Sequence, residues 1–149
     1  MTYLLDVNVL IALIDPAHIA HEDAHHWFEA VGHVSWATSP TTENGVIRIV
    51  SNPKYPNTPG SPALVADIVG KLRILPGHQF WPDDMSLVSN DNIDPTKLLS
   101  SSQITDTYLL ALAKARNGQL ATFDRKLSTT AVVNGRSALH LITADTAHR

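Results

Sequence analysis

The chain alternates short apolar runs with stretches in which apolar residues recur at helical spacing. A short apolar run predicts a strand, and recurrence every three to four positions predicts a helix. The expected strands cover residues 3–5, 33–38, 78–81, 119–123 and 139–142. The expected helices cover residues 18–31, 40–50, 62–72 and 102–117. This alternation predicts an α/β fold, with a central parallel sheet of about five short strands flanked by helices.

Capping residues support the boundaries of these helices. Ser39-Pro40 and Ser61-Pro62 each place a serine before a proline, a combination that starts helices. Gly118 follows the fourth helix and is suited to end it. No repeat, low-complexity tract or linker interrupts the chain, so residues 1–149 are expected to form a single domain.

Composition narrows the class of protein. The 149 residues include no cysteine, which excludes disulfides, thiolate metal sites and a cysteine nucleophile. The N-terminal apolar run is interrupted by Asp6 and Asn8 and is far shorter than the ~20 residues that span a bilayer. We therefore expect no membrane association and a cytoplasmic location. A net charge of −3 argues against a protein that holds nucleic acid through a broad basic surface.

Four acidic residues occupy positions that favour a shared site. Asp6 and Asp124 each follow directly on an expected strand, and the carboxyl ends of parallel strands meet at one edge of a sheet. Glu43 lies on the apolar stripe of its helix, and Asp106 lies near the start of the last helix. Each acid also has an ordinary explanation, since aspartates end strands and acids stabilise the first turn of a helix.

Taken together, the four acids suggest a metal site. Carboxylates that converge repel one another and need a cation to balance their charge. Oxygen ligands select a hard ion, so we expect Mg²⁺, with Mn²⁺ as a substitute. Such an ion can activate water and stabilise charge on a phosphodiester.

The order and spacing of four sequence blocks resemble those of the PIN domain, and within it the VapC-type toxins of bacterial toxin–antitoxin pairs. The blocks are LLDVNVLIALIDP around Asp6, TTENGVIRIVSNP around Glu43, QITDTYLLALA around Asp106 and LATFDRKL around Asp124. The resemblance covers nearly the whole chain. It implies a single PIN-like domain and a Mg²⁺-dependent endoribonuclease.

The resemblance also implies roles for particular residues and partners. It makes the four acids catalytic metal ligands and makes Asn8 and Thr122 candidates for supporting them. It implies an RNA substrate, a homodimer and a cognate antitoxin that inserts a segment near the active site. Aromatic residues not needed in the core could serve the interfaces.

Local cations must supply phosphate affinity that the net charge does not. Candidates are Arg48 on the Glu43 helix, and Arg125 and Lys126 beside Asp124. The sequence leaves open whether Asp84 joins the acidic site, and whether the site holds one metal ion or two.

Two other functions are compatible with parts of the sequence. Residues 21–25 read HEDAH and match the HExxH pattern, in which two histidines hold zinc and a glutamate activates water in a protease. That interpretation leaves the four acids unexplained. A catalytically inactive module of the same fold could instead bind RNA or protein, but it would have no need to concentrate acids.

Overall fold

A computed structural model describes residues 1–144 of the chain. Within that range the helices and strands follow the expected alternation. The strands are β1 (Tyr3–Leu5), β2 (Trp36–Thr38), β3 (His78–Phe80), β4 (Gln119–Thr122) and β5 (Leu139–Leu141). The α-helices are α1 (Val7–Ile14), α2 (His21–Ala30), α3 (Pro40–Val50), α4 (Pro62–Arg73) and α5 (Ile104–Ala115). Short 3₁₀ turns lie at Gly32–Val34, Pro95–Lys97, Ser101–Gln103 and Gly135–Ala138.

The five strands form one sheet in the order β3-β2-β1-β4-β5, and every neighbouring pair is parallel. β1 lies at the centre, with Leu4 opposite both Ala37 of β2 and Leu120 of β4. The expected parallel α/β fold is confirmed. Because all strands point the same way, their carboxyl ends share one edge of the sheet.

Alternate side chains of β1 enter two different cores. Leu5 belongs to the cluster that α1, α2, α3 and α4 pack against, with the buried Trp27 and Trp36 at its centre. Leu4 faces the other side of the sheet, in the cluster built around α5. The centre of the sheet is therefore buried between two helical layers, which explains the apolar Leu4 and Leu5 of β1, whereas the edge strand β3 is largely exposed.

One helix was missed and several boundaries were set too wide. No helix was expected at 7–14, where α1 forms behind an Asp6 cap. The strand expected at 33–38 begins only at Trp36, because Gly32–Val34 forms a 3₁₀ turn. The helix expected at 18–31 covers His21–Ala30, and the one at 102–117 covers Ile104–Ala115. The strands expected to reach 81, 123 and 142 each end one residue earlier.

Few aromatic residues remain available for an interface. Trp27, Phe28, Trp36 and Trp81 are buried, and Tyr55 packs against the first core cluster. Phe80 is the exception among these aromatics, with 45% of its surface exposed. No helix within residues 1–144 is both long and apolar enough to cross a bilayer.

Candidate metal centre

Asp6 stands at the carboxyl end of the central strand. It caps α1, and its Oδ1 accepts a hydrogen bond from the Val7 amide at 2.7 Å. Its Oδ2 accepts a hydrogen bond from the Thr122 hydroxyl of β4, also at 2.7 Å. The residue is 6% exposed, so both oxygens are fixed inside the protein. Asp6 therefore presents a carboxylate of defined orientation at the edge where β1 and β4 end.

Thr122 joins three separate parts of this edge through one hydroxyl. While donating to Asp6, its oxygen accepts from the Asn8 side-chain amide at 3.0 Å and from the Asp124 backbone amide at 3.1 Å. The Asn8 carbonyl oxygen in turn accepts from the Phe123 amide at 3.2 Å. Asn8 and Thr122 thus hold the ends of β1 and β4 in a fixed relation, and Asp6 and Asp124 with them.

The Asp106 carboxyl group interacts electrostatically with the carboxylates of Asp6 and Asp124. Burial and, to a smaller extent, the Asp6 and Asp124 carboxylates together raise the pKa of Asp106 to about 6. Burial also raises the pKa of Asp6, against the hydrogen bonds from Thr122 and Val7, and Asp124 adds to the rise. Residues that are 100 and 118 positions from Asp6 therefore act on the same region of space.

Glu43 lies in the first turn of α3, and it has contacts of its own. The Thr38 hydroxyl donates to Glu43 Oε2 at 2.6 Å, and Arg73 Nη1 lies 3.3 Å from Glu43 Oε1. His78 Nε2 lies 2.7 Å from the Thr38 oxygen and acts as donor to it, since the Thr38 proton is engaged by Glu43. Burial and the nearby Arg73 lower the pKa of His78, which keeps the ring neutral.

Close packing of α3 against α1 places Glu43 at the same edge of the sheet. A Cβ added to Gly45 would lie 2.8 Å from Val7 Cγ2, so only glycine allows the two helices to approach this closely. Glu43 precedes Gly45 by two residues, and Asp6 immediately precedes Val7. The first residue of α1 therefore packs against α3 at a position two residues from Glu43.

The charges of the three aspartates fit a bound cation. Within residues 1–144, no Lys, Arg or His forms a salt bridge with Asp6, Asp106 or Asp124. Carboxylate oxygens are the donors that Mg²⁺ and Mn²⁺ prefer. Over the same residues, no three acidic or histidine side chains already stand at metal-binding geometry. An ion could therefore bind only if the carboxylates moved closer together. The three electrostatically coupled aspartates are the residues whose charge suits such an ion.

The candidate phosphate-binding residues lie in two different regions of the protein. Arg125 and Lys126 are exposed next to Asp124, and the Lys126 amide donates to Asp124 Oδ1 at 2.9 Å. Arg48 lines a groove with Ile11 and Tyr55.

Asp84 takes part in a different interaction. Its Oδ2 lies 2.9 Å from Arg116 Nη2, in a partly exposed ion pair. Arg116 also lies over the ring of Trp81, 5.8 Å from its centroid. Asp84 therefore anchors the segment that follows β3 to the end of α5.

The HEDAH segment lies on α2, but its histidines bind the backbone. A ring nitrogen of His21 lies 2.7 Å from the Ala12 carbonyl oxygen, and one of His25 lies 2.8 Å from that of Leu13. The two rings pack together with centroids 4.3 Å apart. These histidines satisfy carbonyl groups at the end of α1, which leaves the zinc-protease interpretation without support from the structure.

Sequence reasoning missed three residues of this region: Thr38, Arg73 and His78. Thr38 was detectable in principle, since it is a polar residue at the end of a buried strand. Arg73 and His78 carry no local signal, because they reach Glu43 and Thr38 across 30 and 40 residues of chain.

Comparison with known proteins places the chain in a family. Residues 3–133 match the model of the PIN domain. The chain is 41% identical to ribonuclease VapC44 of Mycobacterium tuberculosis over 143 residues, which cover 96% of this chain and 99% of the relative. It is 41% identical to ribonuclease VapC39 over 88% of this chain and 94% of the relative, and 38% identical to ribonuclease VapC38 over 94% and 97%, both from the same organism. The protein therefore belongs to the PIN-domain family.

Proposed function

We propose that the protein is a Mg²⁺-dependent endoribonuclease that acts as the toxin of a toxin–antitoxin pair. The observation that carries this proposal is the electrostatic coupling of Asp6, Asp106 and Asp124 without a basic partner among the described residues. Three relatives from Mycobacterium tuberculosis, all named as ribonucleases of the VapC type, support RNA as the substrate class.

The three coupled aspartates would hold the metal, and Glu43 would join them by giving up its ion pair with Arg73. When bound, Mg²⁺ supplies an activated water and stabilises negative charge on the phosphodiester. Mn²⁺ has the same preference for oxygen ligands and is expected to substitute.

The chain's own residues orient the site and bring the RNA to it. Thr122 and Asn8 fix the Asp6 carboxylate, so that little rearrangement of this ligand is needed for binding. Arg125 and Lys126 provide positive charge beside Asp124, where a phosphate of the substrate would lie. The net charge of −3 leaves these local cations and the metal as the source of phosphate affinity.

The proposed partners follow from the toxin role. A cognate antitoxin would bind over the edge of the sheet that carries Asp6 and Asp124 and would block access of RNA. The active toxin would be a cytoplasmic homodimer. Size-exclusion chromatography with light scattering at micromolar concentration tests the dimer, and addition of the small protein encoded beside the toxin tests the antitoxin. A monomer that ignores that protein contradicts the toxin role but leaves the nuclease intact.

The direct test is cleavage of structured RNAs with Mg²⁺, with Mn²⁺ and with EDTA. We expect cleavage with either metal, none with EDTA, and none by Asp124→Asn under any condition. Asp67→Asn is the matched control, because Asp67 is an exposed acid of α4 paired with Lys71. Undiminished cleavage in EDTA refutes the metal mechanism. RNA binding without cleavage in every condition would instead favour an inactive binding module.

A further inference from the structure

An open cavity of about 390 Å³ lies between the starting ends of α3 and α5. Thr41 of α3 and Thr105 of α5 line it. Thr41 is two residues before Glu43, and Thr105 immediately precedes Asp106. The cavity therefore adjoins the four acidic residues of the candidate metal centre, and the proposed function makes no use of the cavity.

The walls of the cavity are mainly apolar. Met85, Leu87 and Ile104 contribute aliphatic side chains, and Tyr108 contributes an aromatic ring. The volume falls in the range of pockets that take small organic groups, which are mostly apolar with a few polar groups for orientation. A flat heterocycle suits such a space, because unstacked bases pack against aromatic and apolar side chains.

Two polar groups are available to orient an occupant. Asp83 Oδ2 accepts from the Thr41 amide at 3.1 Å and from its hydroxyl at 2.7 Å, which fixes this exposed carboxylate at the rim. A carboxylate has about four acceptor positions, so Asp83 retains capacity for another donor. The Tyr108 hydroxyl is buried in the same wall, close to the Asp83 carboxylate and the Met85 backbone.

We infer that this cavity receives one nucleobase of the RNA strand beside the cleaved phosphate, and that Asp83 selects a base with an exocyclic amino group. The inference rests on the proposed ribonuclease function. A carboxylate accepts a hydrogen bond from the amino group of cytosine, adenine or guanine. Uracil has no exocyclic amino group. Its one donor on the pairing edge, N3–H, is flanked by two carbonyl oxygens, which the Asp83 carboxylate would repel. Cleavage should therefore disfavour uracil at one position near the cut.

The test is brief digestion of a randomised single-stranded RNA pool with Mg²⁺, followed by sequencing of the new ends. We expect uracil to be depleted about fivefold at one position within two nucleotides of the cut, as befits one charge-assisted hydrogen bond. Asp83→Asn should reduce the depletion to less than about twofold, because the asparagine amide can donate to uracil. Its oxygen can still accept from Thr41, so the start of α3 is preserved. The control Asp67→Asn should keep the wild-type preference.

A binding measurement separates base recognition from cleavage. In the inactive Asp124→Asn background, fluorescence anisotropy should show oligo(A) and oligo(C) binding about fivefold tighter than oligo(U). Adding Asp83→Asn should remove that difference. Ile104→Trp, at a position 40% exposed, should fill the cavity and weaken binding of all three oligonucleotides with an unchanged melting temperature.

Each outcome has a distinct meaning. Wild-type cleavage with no base preference, or with the same preference in Asp83→Asn, overturns the assignment of the cavity and leaves the nuclease standing. Failure of the wild-type protein to cut any RNA refutes the proposed function itself. If Ile104→Trp leaves RNA binding unchanged but abolishes binding of the antitoxin, the cavity serves a protein partner and the inference is wrong.

Discussion

Arg73 Nη1 lies 3.3 Å from Glu43 Oε1, so a protein cation already balances the charge of one of the four candidate ligands. The Arg73 side chain is 39% exposed and the Glu43 side chain 15%. Arg73 also stacks over Phe80, 5.0 Å from the ring centroid, which holds the guanidinium at the carboxyl end of β3. A metal that recruits Glu43 must compete with this arginine.

Removing Arg73 should therefore strengthen metal binding. A partly exposed ion pair is worth about 0.5–1 kcal/mol, so Arg73→Gln should lower the half-saturating concentration of Mn²⁺ or Mg²⁺ by roughly two- to fivefold. Isothermal titration calorimetry measures this directly. Lys71→Gln is the control, because Lys71 is on the same helix and pairs with Asp67 at 3.1 Å. Unchanged or weaker metal binding in Arg73→Gln would mean that Glu43 is not a ligand.

The raised pKa of Asp106 makes stability depend on pH. The pKa is about 6 in the folded protein and near 3.8 in the unfolded chain. Between these values the folded state binds more protons, so the free energy of unfolding falls as pH rises from about 4 to 6. Protonation of Asp106 below that window removes the repulsion from Asp6 and Asp124.

In the presence of EDTA, Asp106→Asn should abolish this fall in the free energy of unfolding with rising pH. We expect equal stability of variant and parent near pH 4, and a variant more stable by on the order of 1 kcal/mol at pH 7 after allowance for solvent screening. Urea unfolding at both pH values measures the difference. The exposed loop acid Asp91 provides the control Asp91→Asn. A variant less stable than the parent at pH 7 would identify Asp106 as a structural residue.

Thr122 should contribute to both stability and cleavage. Its hydroxyl bonds to Asp6, Asn8 and the Asp124 amide, and Thr122→Val leaves all three without that partner. We expect a loss of about 2–3 kcal/mol in unfolding free energy. Cleavage should fall as well, because the Asp6 carboxylate loses its orientation.

Thr107 offers a matched control for this variant. Both threonines are fully buried, but the Thr107 hydroxyl has no hydrogen-bond partner within the described part of the chain. Thr107→Val should be neutral or slightly stabilising, since it removes an unpaired polar group without changing shape. Chemical denaturation of the two variants compares them. Equal losses in both would show that shape and not hydrogen bonding makes Thr122 necessary.

Local sequence patterns were enough to predict most of the fold. Ser39 and Ser61 cap α3 and α4 as expected, because capping depends on neighbouring residues alone. α1 was missed because VNVLIALI is apolar at every position but Asn8 and rich in β-branched residues, which obscures helical periodicity. Tertiary packing makes this segment helical, with Asp6 supplying the cap.

The positions of Asp6 and Asp124 were predictable because strand ends determine them. Asp6 and Asp124 follow β1 and β4, and the parallel sheet brings such residues to one edge. The contacts of Glu43 with Arg73 and of Thr38 with His78 join distant segments. No pattern along the chain encodes which cation contacts which acid. These contacts could therefore be identified only from the structure.

The two groups of candidate phosphate-binding cations should differ in their effect on RNA. Arg125 and Lys126 are exposed beside Asp124, whereas Arg48 lines a groove with Ile11 and Tyr55. Each phosphate neutralised contributes about 0.7 to the slope of log affinity against log salt for single strands. Replacing Arg125 and Lys126 by Ala should therefore reduce the slope by about 1 to 1.5 and weaken binding, while Arg48→Ala should change the slope by less than about 0.5. Fluorescence anisotropy across salt concentrations in the Asp124→Asn background measures binding without cleavage. The salt slope depends on the number of phosphate contacts and not on the acidic residues. A slope that falls with Arg48→Ala and not with the double variant would therefore place the RNA along the groove lined by Arg48.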